Sequence, residues 1–181
     1  MAYGTLTFYS NVLGKDTKVD FIMPDTRRRA HCWTNWDKKE LKVIWILHGM
    51  GDDSNAWIRK SNIELLARKY DVAIFMPSCE RECYTDSKRG IKMFSYITNE
   101  LPIVMKNYFP ISNRREDNFV IGNSMGGYGA LKCGLMFPEK YAAVASLSGV
   151  IDFYELKNGF LNDVIPYVFG TKEEYKNSDN D

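Results

Sequence analysis

The apolar residues of this chain form short runs, separated by segments with a helical pattern. Three runs are almost unbroken, at 43–47, 72–76 and 119–121, and this is typical of strands that are covered on both faces of a sheet. A further strand is predicted at 142–147. Between and around these strands, apolar residues recur at three- and four-residue steps over 53–70, 91–109 and 128–137, which predicts helices. The alternation indicates an α/β fold with a mostly parallel sheet.

The start of the chain follows a different pattern. Residues 4–11 and 18–23 mix β-branched and aromatic side chains, and Gly14-Lys15-Asp16 lies between them, so we predict an antiparallel hairpin. A polar loop is predicted at 26–40, and the sequence after Asp152 is irregular. Six strands are therefore visible. We expect one domain over 1–181 that lacks the last strands of its complete fold.

Three local details also follow from the pattern. Asp53 or Ser54 should cap the helix at 53–70. Pro102 should kink the helix at 91–109 or mark its restart, because proline has no N–H to donate. Trp57, Ile63, Leu65 and Leu66 should fall near one face of the helix at 53–70. Trp57, Met93 and Phe94 are expected in the core rather than at a ligand site.

The composition excludes several classes of protein. The 24 basic residues are balanced by 23 acidic ones, so we expect no nucleic-acid partner. No segment approaches the roughly 20 apolar residues of a membrane span, and the N-terminus does not resemble a secretory signal. The thiols of Cys32, Cys79, Cys83 and Cys133 are expected to be reduced and structural, and Cys79 and Cys83 lack the second pair that a zinc site needs. These features predict a cytoplasmic protein without a metal.

The most informative stretch is Gly122-Asn123-Ser124-Met125-Gly126, a G-x-S-x-G pattern between a predicted strand and a predicted helix. In a nucleophile elbow, the serine occupies a strained turn that projects its hydroxyl, and the close packing around it requires glycines. The amide after the serine then faces the developing oxyanion. A phosphate-binding loop is the alternative for a glycine-rich turn, but no Lys-Ser/Thr pair follows this one.

A second signal follows the first long apolar strand, at His48-Gly49-Met50-Gly51. In acyl hydrolases the loop at this place donates the other oxyanion amide. We assign that amide to Met50, with Gly51 as the alternative. His48 is interpreted as a residue that shapes the loop rather than as the catalytic base.

These two segments, HGMGDDSNAW and GNSMGGYGALKCGLMFPEKYAAVASLSG, resemble the esterase D family of α/β-hydrolases, and the bacterial tributyrin-esterase branch is the most similar part of it. The resemblance implies an α/β-hydrolase fold, Ser124 as nucleophile, and an oxyanion hole formed by the Met50 and Met125 amides. It places His48, Gly49 and Gly51 beside the substrate. Tyr84 either lines the site or is a buried loop aromatic. A small-molecule ester substrate and no cofactor are implied.

The triad expected from this resemblance is incomplete. In the family the order is Ser, then Asp, then His, but both histidines, His31 and His48, precede Ser124. Asp152, Asp163 and Asp179 are not at the expected place of the acid. The first hypothesis is a serine carboxylesterase for short-chain acyl esters, with its acid and histidine absent from this chain. A non-catalytic binding module and an acyltransferase are the alternatives, and a homo-oligomer is left open.

Overall fold

The computed structural model describes residues 1–24, 40–88, 90–156 and 162–180. Its strands form one sheet in the order β1-β2-β4-β3-β5-β6. They are β1 Ala2–Ser10, β2 Lys15–Met23, β3 Val43–Leu47, β4 Ala73–Pro77, β5 Asn118–Asn123 and β6 Ala143–Leu147. β1 and β2 are antiparallel, as are β2 and β4, while β4, β3, β5 and β6 run parallel to one another. The predicted hairpin and mostly parallel sheet are therefore confirmed.

The strand order places two loops side by side. β3 pairs with β4 on one side and with β5 on the other, so the order of strands reverses at β3. Leu47, at the end of β3, is in register with Gly122 near the end of β5. Ligands of open α/β sheets bind beyond the carboxyl ends of the strands at such a reversal. The two glycine-rich segments therefore leave the sheet at the same edge.

Seven α-helices are found in the described residues. They are α1 Ala56–Lys60, α2 Ile63–Tyr70, α3 Met93–Ser95, α4 Leu101–Tyr108, α5 Met125–Met136, α6 Val164–Val168 and α7 Lys172–Lys176. The predicted polar loop at 26–40 falls almost entirely outside the described residues.

The prediction of one helix over 53–70 was wrong, because the helix is interrupted at Ser61. The Ser61 hydroxyl donates to the Trp57 carbonyl (2.5 Å) and accepts from the Ile63 N–H (3.2 Å). Such local bonds from a serine compete with the helical pattern. Neither Asp53 nor Ser54 is the N-cap of α1; that residue is Asn55, without a side-chain cap.

The leucines of α2 are not part of the core. Leu65 and Leu66 are exposed on α2 (65% and 50%), and the buried residue of that helix is Ala67. The interruption at Ser61 begins a new helix, so the helical phase assumed for 53–70 does not carry over. Met93 and Phe94 are buried in the core, as predicted.

Pro102 shapes the long helical segment in the predicted manner. A π-helical turn, Tyr96–Glu100, joins α3 to α4, and Pro102 is the second residue of α4. Pro102 has no N–H to give to the carbonyl of Thr98, four residues earlier. That carbonyl instead accepts a bond from the Lys140 ammonium at 3.0 Å. The helix therefore widens at this point rather than ending.

The region after Asp152 is more regular than the sequence pattern indicated. It contains α6 and α7, and α7 starts with a capping box in which Thr171 and Glu174 each bond the backbone of the other. The spacing S/T-x-x-E was the available signal for this helix start. The Asp152 carboxylate accepts from the Tyr154 N–H at 2.8 Å, so it stabilises a loop.

A buried lysine links α5 to the end of the described chain. Lys132 is 8% exposed, and its ammonium donates to the Thr85 hydroxyl (3.2 Å) and to the Asn180 side chain. It also lies 4.4 Å from the centre of the Phe94 ring. Burial lowers the pKa of Lys132 to about 8, because the ammonium loses solvation that these contacts do not fully replace.

This pKa leads to a prediction for the variant Lys132→Met. The unfolded chain binds more protons than the folded one between about pH 8 and the ordinary lysine pKa of 10.5. The lysine's penalty on folding is therefore complete below this window and disappears as the pH rises through it. Relative to the variant, the wild type should gain roughly 2 kcal/mol of unfolding free energy between about pH 7 and about pH 10.

Urea denaturation of both proteins at the two pH values measures this difference. Thiols and tyrosines titrate in both proteins, so their contributions cancel in the comparison. A difference that does not change with pH would show that Lys132 stays protonated in the folded protein across the window.

Candidate active site

Ser124 occupies a strained turn between β5 and α5. Its backbone has φ 52° and ψ −118°, in a region that residues with a side chain rarely adopt. The turn is held from both sides, since the Ser124 N–H donates to the Leu147 carbonyl (2.8 Å) and its carbonyl accepts from the Tyr128 N–H (3.1 Å). The residue is exposed. A strained, exposed serine at this place has the geometry of a nucleophile elbow.

The glycines around Ser124 are required by close backbone contacts. A Cβ on Gly122 would lie 2.0 Å from the carbonyl oxygen of Gly126. A Cβ on Gly126 would lie 2.2 Å from the carbonyl oxygen of Leu47 and 2.7 Å from that of His48. The start of α5 therefore packs directly on the backbone of the loop that follows β3. The two motifs found in the sequence meet at this contact.

Met125 is the first residue of α5, a helix of 12 residues. The first amides of a helix have no acceptor within the helix, and the helix dipole favours negative charge near them. The Met125 side chain is buried, at 1% exposure. Only the backbone of this residue can therefore contact a ligand at Ser124. The Met125 N–H is thus available to an anion next to Ser124.

His48 is buried and both of its ring nitrogens are bonded to backbone groups. Nδ1 donates to the carbonyl of Gly49 at 2.8 Å, and Nε2 accepts from the Cys79 N–H at 2.9 Å. This arrangement requires the neutral ring with its proton on Nδ1. Burial lowers the pKa of His48, which favours the same neutral form.

These bonds fix the peptide unit between Gly49 and Met50. The Gly49 carbonyl also accepts from the Asp52 N–H at 3.1 Å, so two donors hold it. The Met50 N–H belongs to the same planar unit and points away from that carbonyl. Within the part of the chain that the structure describes, this N–H has no acceptor. Gly51, the alternative donor, is exposed and adopts φ 81°.

Tyr84 packs under the loop that follows β3 and does not line an open surface. It is fully buried, and its hydroxyl donates to the His48 carbonyl at 3.1 Å. On its other side it contacts α5, where a Cβ on Gly129 would lie 2.7 Å from the Tyr84 Cβ. Tyr84 therefore packs between the loop after β3 and α5, the helix that follows Ser124. Of the two roles predicted for it, the geometry matches the buried loop aromatic.

A cavity of about 200 Å³ lies beside the elbow, next to α1. Its lining includes Asn123, which precedes Ser124, and Asp52, which follows Gly51 in the loop after β3. Trp57 also lines it, and it packs on the core as well, so the prediction of core rather than ligand site describes only part of its surroundings. The Trp57 indole N–H has no acceptor among the described residues. The spacing of apolar residues alone could not distinguish a side chain in the core from one at the cavity.

The described residues do not complete a catalytic triad. His48 has no free ring nitrogen, and His31 lies outside the described residues. Asp163 pairs with Arg81 at 2.8 Å. The thiols of Cys79, Cys83 and Cys133 are buried and free, and burial raises the pKa of Cys83 and of Cys133 to about 12. In the same described residues there is no cluster suited to a metal and no helix long and apolar enough to cross a membrane.

Known proteins share this arrangement of sequence and fold. The family described as "Putative esterase" matches residues 10–179. The chain belongs to this esterase family. An acetyl esterase of Caldicellulosiruptor saccharolyticus is 30% identical over 179 residues, which cover 98% of this chain and 63% of that protein. This chain thus spans less than two thirds of the acetyl esterase.

Solved structures agree with the family assignment. The fluorophosphonate-binding serine hydrolase F of Staphylococcus aureus superposes with a TM-score of 0.87 at 30% identity, covering 99% of this chain and 70% of that one. An S-formylglutathione hydrolase of the same organism gives a TM-score of 0.82, with the same identity and coverage. The α/β-hydrolase fold and the resemblance to S-formylglutathione hydrolases are therefore confirmed.

Proposed function

We propose that Ser124 is the nucleophile of a serine carboxylesterase and that it forms an acyl-enzyme with ester substrates. The observation that carries this proposal is the contact between the elbow and the β3 loop, where Gly126 packs on the carbonyls of Leu47 and His48. That contact brings two amides to one edge of the sheet, those of Met125 and Met50, and neither has an acceptor among the described residues. Two converging N–H donors beside a nucleophile are the requirement for stabilising a tetrahedral oxyanion.

The reaction proceeds in two steps. The Ser124 hydroxyl attacks the ester carbonyl, its proton passes to a base, and the alcohol leaves with a proton returned to it. Water then attacks the acyl-enzyme in the same manner and releases the acid. We propose that the base and its acidic partner come from residues outside this chain. His48 cannot be the base, because both of its ring nitrogens are hydrogen-bonded to backbone groups.

The cavity beside the elbow is the proposed place for one side of the substrate. Its volume of about 200 Å³ suits a small group, and this supports short-chain acyl esters such as those of the tributyrin-esterase branch. Names of relatives, an acetyl esterase and S-formylglutathione hydrolases, are consistent with small acyl groups. We further propose one domain over residues 1–181 and a cytoplasmic location, which fractionation of the source cells would test.

Association through β6 is a second proposal, supported by its exposure. β6 is paired only with β5 among the described strands, and Leu147, Leu135 and Ile151 near it are 46%, 80% and 80% exposed. Apolar surface beside an open strand edge promotes pairing with another chain. A homo-oligomer formed through this edge would appear in sedimentation velocity, and a monomer at all concentrations would contradict it.

Acyl transfer to an alcohol would use the same elbow, and no contact among the described residues favours it over hydrolysis.

The test of the nucleophile is mass spectrometry of the chain after incubation with p-nitrophenyl acetate. We expect one acetyl group, located on Ser124, to accumulate slowly because no base assists either step. Ser124→Ala should remain unmodified at this position. Ser148, which is also exposed and has φ 52°, gives a matched control, and Ser148→Ala should be acetylated like the wild type. Acetylation spread over lysines and serines without preference for Ser124 would contradict the proposal.

A further inference from the structure

A second cavity, of about 300 Å³, lies far from Ser124. Its lining includes Trp45, Ile111 and Asn118, and these residues belong to or adjoin the starts of β3 and β5. Ser124 lies at the opposite ends of the same strands. This cavity is therefore separate from the esterase site, and nothing in the proposed reaction uses it.

The floor of this cavity is apolar and rigid. Trp45 is 3% exposed and stacks on Phe75 with ring centres 5.3 Å apart, while its indole N–H donates to the Asn118 side chain at 3.1 Å. Ile111 is buried at 2% and Ile103 is exposed at 65%. A ligand with an apolar body would bury carbon surface here at about 25 cal/mol per Å².

One wall of the cavity carries a cation that has no counterion in the part of the chain that the structure describes. The Lys140 ammonium donates to the Thr98 carbonyl (3.0 Å) and to the Asn99 side chain (3.1 Å), and it lies 4.1 Å from the centre of the Phe137 ring. Two of its three N–H groups are therefore used, both on neutral acceptors. Among the described residues, no carboxylate lies within ion-pair distance of it.

The position of this cation is set by the helix irregularity. Pro102 leaves the Thr98 carbonyl without its helical donor, and the π-helical turn exposes that carbonyl to Lys140. π-helical turns occur often at functional sites. The second lysine of the cavity, Lys106, differs because it is already paired with Glu40 at 3.1 Å. No acidic side chain of residues 1–24, 40–88, 90–156 or 162–180 lines the cavity.

We propose that this cavity is a binding site for a small carboxylic acid with an apolar body. The carboxylate takes the remaining N–H of Lys140, and the body lies on Trp45 and Ile111. A neutral ligand of the same shape would leave the charge of Lys140 uncompensated and bind more weakly. Carboxylic acids are also the products of ester hydrolysis, but the site requires no turnover and is independent of Ser124.

Benzoate is the probe, and the readout is the ¹H–¹⁵N signal of the Trp45 indole, assigned through the variant Trp45→Phe. We expect a saturable shift of this signal with benzoate in the millimolar range. Lys140→Met should weaken binding roughly 10-fold, because an ion-assisted hydrogen bond is lost. Lys106→Met, in which the lost ammonium was already paired, should change the affinity less than 3-fold or so.

Benzyl alcohol and Ser124→Ala complete the design. The alcohol should bind at least about 10-fold more weakly than benzoate, and Ser124→Ala should bind benzoate like the wild type. The proposal is overturned if the Trp45 signal does not move, if the alcohol binds as tightly as the acid, or if Lys140→Met leaves the affinity unchanged. Because no reaction is measured, these results do not depend on the esterase proposal.

Discussion

Gly122→Ala is expected to unfold the protein or to cost about 4 kcal/mol or more of unfolding free energy. The added Cβ would lie 2.0 Å from the Gly126 carbonyl oxygen and 2.2 Å from its carbon. Both atoms belong to the backbone of α5, which is fixed between β5 and β6, so no side-chain rotation relieves the overlap. Domains of this kind have only about 5–15 kcal/mol of stability. Urea denaturation followed by circular dichroism measures the loss.

Gly90→Ala is the matched control. The nearest atoms to its added Cβ are the hydroxyl oxygens of Tyr167, at 2.4 Å, and of Ser87, at 2.8 Å, and both are the ends of side chains. The Ser87 hydroxyl has no hydrogen-bond partner among the described residues, so its rotation breaks no bond. Tyr167 is 49% exposed, so its ring can turn toward solvent. The expected loss is therefore below about 1 kcal/mol. Equal losses in the two variants would mean that the elbow is not constrained by close backbone packing, and the assignment of Ser124 to such a turn would fail.

Free imidazole is expected to restore ester hydrolysis that depends on Ser124. Without a base, the chain alone should hydrolyse p-nitrophenyl acetate at a rate close to background, because Ser124 is an ordinary alcohol. Added imidazole can take the position that a triad histidine occupies and remove the serine proton. General-base assistance contributes about 10²-fold or more when the base is positioned, so a diffusing base should give roughly a 10-fold gain over Ser124→Ala.

Ser124→Ala must be measured at each imidazole concentration, because imidazole itself cleaves activated esters. The difference between the two proteins should rise with the neutral form of imidazole and therefore follow its titration. The same difference should be absent with imidazole that is fully protonated. If wild type and Ser124→Ala stay equal at every concentration, Ser124 is not the nucleophile. Rapid hydrolysis without imidazole, lost in Ser124→Ala, would instead show that this chain already contains a base.

The fold class was readable from the sequence because its signals are local and periodic. Strands such as 43–47 are continuous apolar runs, and G-x-S-x-G marks a turn whose geometry only glycine neighbours allow. The failures occurred where the decisive contact is a single hydrogen bond. The helix predicted at 53–70 is divided at Ser61, whose hydroxyl bonds the Trp57 carbonyl. The spacing of apolar residues carries no information about such a hydrogen bond.

The sequence by itself determined the elbow at Ser124, the loop at His48, and the order of strands and helices that places both at carboxyl strand ends. Only the tertiary structure decided what each neighbour does. It shows His48 with both ring nitrogens on backbone groups, Tyr84 as a wedge below the loop, and Trp57 beside the cavity. Strands and helices depend mainly on contacts between residues that are close in the chain, so the sequence pattern predicts them. The role of a side chain depends on partners dozens of residues away, brought close only by the sheet.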